Sequence, residues 1–66
     1  MITMNGKKLL RARIEKGLTL TELSDMCGIS AATISNIEND KVNPHQLTLG
    51  RIAKSLDLPS DYFIGE

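Results

Sequence analysis

The chain has 66 residues, sets eight Lys and Arg against eight Asp and Glu, and contains one cysteine. A chain this short makes one domain with a small core, burying only about 60% of the surface its unfolded form exposes. An internal disulfide is excluded, no Cys/His cluster offers metal-ligand spacing, and neither an apolar run of signal-peptide length nor the roughly 18 apolar residues of a membrane span is present, so a cytoplasmic domain held by apolar packing, without metal or cofactor, is expected.

Helical periodicity returns in short bursts between turn signals, and no segment shows the alternation expected of strands. The first burst, Leu9, Leu10, Arg13 and Ile14, follows Asn5 as a cap and stops at Gly17, which predicts a helix over about 6–16. Thr19-Leu20-Thr21-Glu22 fits a capping box, and Leu23, Met26 and Cys27 supply the buried stripe of a second helix ending near Cys27. Gly28 permits a tight turn, Ile29 plugs the gap between helices, and Ser30 is a good N-cap for a third helix over about 31–39. After the polar turn 39–43, Pro44 suits a first helical residue, and Leu47, Leu49, Ile52, Ala53 and Leu56 mark a fourth helix over about 45–56. Pro59 opens a last short turn in which Tyr62, Phe63 and Ile64 close over the core before Gly65. The apolar side of helix two makes Cys27 a small core residue rather than a redox sensor, and His45 reads as solvated or a weak cap.

Charge is unevenly spread. Residues 1–17 hold Lys7, Lys8, Arg11, Arg13 and Lys16 against Glu15 alone, whereas residues 18–66 hold Lys41, Arg51 and Lys54 against seven acids. This asymmetry permits contact with phosphate but does not require it, because a charge run is commonly a solvated helix face. On a wheel of about 100° per residue, the third helix puts Ile34, Ile37 and Glu38 on one side and Ala32, Asn36 and Asn39 on the other, flanked by Thr33 and Ser35. A face kept small and amide-rich suits base edges and phosphates, and it equally fits neutral surface residues.

Two helices joined by a turn at Gly28, the second presenting such a face, make a helix-turn-helix unit. The runs Arg13-Ile14-Glu15-Lys16-Gly17-Leu18-Thr19, Glu22-Leu23 with Gly28-Ile29-Ser30, and Thr33-Ile34-Ser35-Asn36-Ile37-Glu38-Asn39 follow in order, then Asn43-Pro44, Leu49, Ile52-Ala53, Leu56 and Pro59. In these pieces and their spacing the chain resembles the XRE, or Cro/C1-type, family of phage repressors and restriction-modification controller proteins. The resemblance implies an all-α, compact five-helix, lambda-repressor-like DNA-binding domain over residues 6–64, with the helix-turn-helix formed by helices two and three at about 19–38 and a short N-terminal tail at 1–5.

It also implies a function: sequence-specific binding of a double-stranded DNA operator by a two-fold homodimer, as a transcriptional regulator of repressor or controller type. The implied base readers are Ala31, Ala32, Thr33 and Asn36. A side-chain amide at Asn36 can pair at two points with adenine, and Ala and the Thr methyl suit the thymine methyl, so the half-site should lean towards A·T. Phosphates would be met by the backbone amides near Leu20 and Thr21, by Asn39, and by the turn residues Lys41 and Asn43. Arg13 and Glu38 match positions that pair between helices one and three. Two departures stand out: Leu20 lies where many members carry a phosphate-reaching Gln, and two alanines stand where longer polar readers are common, which shifts discrimination towards DNA shape.

No nucleophile with a base, no carboxylate pair and no phosphate-cradling glycine loop supports an enzyme. A protein-interaction module, such as an antitoxin or regulatory domain that binds a protein partner through its apolar C-terminal face, remains the alternative, favoured by the zero net charge.

Overall fold

The computed structural model describes residues 4–65. Among them are four α-helices, α1 (Gly6–Glu15), α2 (Leu20–Cys27), α3 (Ala31–Glu38) and α4 (Gln46–Ser55), then one 3-10 turn, Ser60–Phe63. The fifth helix implied by the family resemblance is therefore a single 3-10 turn. There is no strand in this region, only one isolated antiparallel bridge between Met4 and Ile64.

Local chemistry sets most of the boundaries. The Asn5 side chain accepts from the Lys7 and Lys8 amides at the start of α1. At α2 the capping box is complete, with the Glu22 amide donating to Thr19 Oγ1 at 3.0 Å and the Thr19 amide to Glu22 Oε1 at 2.8 Å. Ser30 caps α3 by accepting from the Thr33 amide at 3.2 Å. Gly17 and Gly28 both take left-handed backbone, φ 70° and 74°, where the chain turns out of α1 and α2. At α4 the structure departs from the sequence reading. The N-cap is His45, which is exposed and makes no side-chain cap bond, so Pro44 lies before the cap and not inside the first turn.

Leu9, Leu23, Ile34, Ile37, Ile52, Leu56 and Phe63 form the fully buried centre, joined by Met4, Ala12, Cys27, Leu49 and Ala53. α3 packs against both α1 and α2, α2 against α4, and the 3-10 turn against α1 and α4. Several apolar residues expected in this core lie outside it: Ile14 is 59% exposed, Met26 52% and Leu47 68%. Each stands beside or near a residue that takes the inward place: Ile14 next to the half-buried Arg13, Met26 next to the buried Cys27, and Leu47 two positions before the buried Leu49. A helix in a domain this small has only a narrow stripe to bury. Tyr62 is likewise exposed, its ring T-shaped against Phe63 and 5.7 Å from the Lys8 ammonium, while Phe63 is fully buried and the half-buried Ile64 packs against the core.

Of the five residues the sequence reads as a tail, Met4 and Asn5 belong to the packed structure, and 1–3 lie outside the described residues. Met4 is buried, and the Asn5 amide donates to the Phe63 carbonyl at 2.7 Å.

Candidate nucleic-acid interface

α2 and α3 are linked by Gly28, Ile29 and Ser30, and Ile29 packs against the core from that turn. On α3 the inward side is Ile34, Ile37 and Glu38, all buried. Glu38 is fixed by Arg13 of α1. Nε donates to Oε2 at 2.7 Å and Nη2 to Oε1 at 3.2 Å, while Nη1 donates to the Leu18 carbonyl at 2.8 Å. The two side chains are 13% and 6% exposed, so the pair is largely desolvated, and its hydrogen bonds satisfy what burial would otherwise penalise. It ties α1, the α1–α2 turn and α3 together.

Opposite this pair lie the candidate readers. Ala32 and Asn36 are exposed one turn apart, and Ala31 and Thr33 are half-buried beside them. The Thr33 hydroxyl accepts from Ser30 Oγ at 2.8 Å. The Asn36 carboxamide makes no hydrogen bond among the described residues, so its donor and acceptor remain for an external partner. Apart from Glu38, neutralised by Arg13, α3 carries no charge.

The candidate phosphate contacts are less uniform. Leu20 is half-buried and packs on the core, so only its backbone can serve. Its amide and that of exposed Thr21 are the first two of α2, which the helix leaves without an internal partner, while the capping box takes those of Thr19 and Glu22. Asn39 is turned back on its own helix, donating from Nδ2 to the Ser35 carbonyl at 2.9 Å. Asn43 accepts the Met4 amide at 3.0 Å, so its carboxamide oxygen serves the fold. Lys41 is exposed and is the one cation among these residues.

Sequence reasoning missed two residues here. Gly6 lies against the carbonyls of Ile37 and Glu38 so closely that a Cβ would overlap both, and its amide donates to Asp40 Oδ1 at 3.0 Å. Asp40 takes φ 59°. The available signal was the tolerance of Asp for left-handed backbone after a helix end. Among the described residues no group of three or more His, Cys, Asp or Glu side chains could hold a metal ion. Nor is any helix there long and apolar enough to cross a membrane.

The comparisons agree with this architecture. The restriction-modification controller protein C.AhdI from Aeromonas hydrophila superposes with a TM-score of 0.83 at 23% identity, covering 86% of each chain. The transcriptional repressor RghR of Bacillus subtilis (strain 168) is 40% identical over 55 residues, 82% of this chain and 41% of its own. The antitoxin HipB of Escherichia coli (strain K12) is 43% identical over 54 residues, 82% of this chain and 59% of its own. The chain spans about a third to three fifths of the length of the curated relatives it matches. The model of the helix-turn-helix family HTH_3 matches residues 9–63, nearly the whole chain, and the protein belongs to that family.

Proposed function

We propose that this chain is a DNA-binding transcriptional regulator that acts as a two-fold dimer on double-stranded DNA. In this reading α2 and α3 are the helix-turn-helix, within about 19–38 of a domain reaching to residue 64, and the 3-10 turn serves as the fifth helical element. The observation that carries it is the face of α3: small, uncharged and open at Ala32 and Asn36, on a helix whose opposite side is fixed by the Arg13–Glu38 pair. Such a face lets backbone and short side chains approach the floor of the major groove, where an amide pairs with adenine and methyl groups meet thymine. The α2 amides at Leu20 and Thr21, with Lys41, supply phosphate contacts that set register. Family membership and the names of relatives such as RghR support the same reading.

The direct test is selection of bound sites from random duplex DNA. Enrichment of an inverted repeat is expected, and a pool that stays random overturns the reading. A second reading, a protein-binding module, is favoured by the similarity to the antitoxin HipB and by zero net charge. It would stand alone only if no duplex is selected.

A further inference from the structure

We propose that Asp40 is a positioning residue for DNA binding: its carboxylate ties the turn after α3 to the N-terminus of α1 and so holds Lys41 against the phosphate backbone. The inference rests on the DNA reading above.

Three helices end in the same way, with a left-handed residue and a pair of backward hydrogen bonds. After α1 the left-handed residue is Gly17, with its amide on the Ile14 carbonyl at 2.9 Å and the Leu18 amide on that of Arg13 at 3.1 Å. After α3 it is Asp40, bonded to the Ile37 carbonyl at 3.0 Å with Lys41 on Asn36 at 2.8 Å, and after α4 it is Asp57, φ 58°. Glycine takes this conformation without strain, so an aspartate there invites a reason. Asp57 shows none in its side chain, which makes no hydrogen bond among the described residues. Asp40 differs, because its Oδ1 accepts the Gly6 amide at 3.0 Å.

That bond depends on an unusually close approach. The lack of a Cβ at Gly6 lets the first turn of α1 rest on the carbonyls at the end of α3. The Asp40 carboxylate then sits at the positive end of α1, where a helix favours an anion, and is directed to that end instead of pairing with its neighbour Lys41. On the other side of Lys41, Asn43 accepts the Met4 amide at 3.0 Å. Met4 is in turn bridged to Ile64, and Asn5 is bonded to Phe63. Lys41 is thus exposed on a turn whose two flanks are both tied to residues 4–6, themselves pinned to the end of the 3-10 turn. Fixing the backbone beneath a lysine removes part of the entropy that a phosphate contact otherwise costs.

The test uses the full chain on a selected duplex and on an unrelated one. Variants are Asp40→Gly, Asp40→Asn, Asp57→Gly, Lys41→Ala and the double variant Asp40→Gly with Lys41→Ala, each followed by thermal melts and by titrations at several salt concentrations. Asp40→Gly relieves the backbone and should fold, yet bind both duplexes about fivefold more weakly with their ratio unchanged, as loss of a phosphate contact demands. Asp40→Asn keeps the acceptor oxygen and should bind as the parent, and so should Asp57→Gly. Lys41→Ala should weaken the parent but add nothing to Asp40→Gly, because coupled residues are not additive. If Asp40→Gly does not fold, Asp40→Glu displaces the acceptor by one methylene and carries the same cycle. Parent-like binding by Asp40→Gly, or additive losses, overturns the positioning role alone, whereas a parent that selects no duplex overturns the DNA reading and this inference with it.

Discussion

Arg13 of α1 and Glu38 of α3 meet through two hydrogen bonds, at 2.7 and 3.2 Å, in a largely dry site, and the third arm of the guanidinium holds the Leu18 carbonyl. Replacing Glu38 by Ala leaves that guanidinium partly buried without its counter-charge. A cost of about 3 kcal/mol is expected, a large share of the roughly 3 to 10 kcal/mol that stabilises a domain of this size. Glu38→Gln, which keeps one acceptor, should cost less. Urea and thermal melts decide it, and a midpoint that barely moves would mean the two charges are solvated in solution.

Two glycines inside helices should respond to alanine with opposite signs. At Gly50 of α4 a Cβ meets nothing within 4 Å, so Gly50→Ala should stabilise the fold by about 0.5 to 1 kcal/mol through helix propensity. At Gly6 the same methyl group would stand 2.6 Å from the Glu38 carbonyl oxygen, and the carbonyl is backbone that cannot swing away. Overpacking of about 1 to 3 kcal/mol should exceed the propensity gain. Paired melts of the two variants check the sign at each position.

Substitutions on the outward face of α3 should separate binding from folding. Ala32→Glu places an anion over base edges and phosphates at an exposed position, so binding should be lost while the melt stays that of the parent. Asn36→Ala should cost about 1 to 3 kcal/mol and relax preference at one base pair per half-site. Gel-shift titrations on the selected site and its point variants measure both. Parent-like binding by the Ala32 variant would show that α3 is not the reader.

Salt dependence tests for the proposed phosphate contacts. With about four to six phosphates met per dimer, log affinity should fall with log salt at a slope of about −4 to −5. Lys41→Ala should weaken all sequences alike and lower that slope by roughly one per subunit. A flat response is incompatible with the proposed function.

Much of this was legible in the sequence because the signals are local. Asn5, Thr19 with Glu22, and Ser30 cap the helices they were expected to cap, since a cap needs only the three residues that follow it. The inward edge of α3 was equally readable from helical period, and Ile34, Ile37 and Glu38 are all buried. Pattern served less well on the other helices. Ile14, Met26 and Leu47 fit an apolar stripe by spacing yet face outwards, because the width of the buried stripe is set by the neighbouring helices and not by the helix itself.

The sequence by itself determined where α1, α2 and α3 begin, which side of α3 turns inward, and the family to which the chain belongs, because capping, helical period and motif spacing are properties of consecutive residues. Only the tertiary structure decided what crosses between distant segments. Met4 enters the core and its amide reaches Asn43, 39 positions away, while Gly6 meets Asp40 across 34. No local pattern encodes such contacts, since they exist only once the ends of α1 and α3 and the 3-10 turn have packed against one another. The same packing turns the carboxamide of Asn43 to the fold, while Asn39 bonds locally to the Ser35 carbonyl of its own helix, which leaves Lys41 exposed between them.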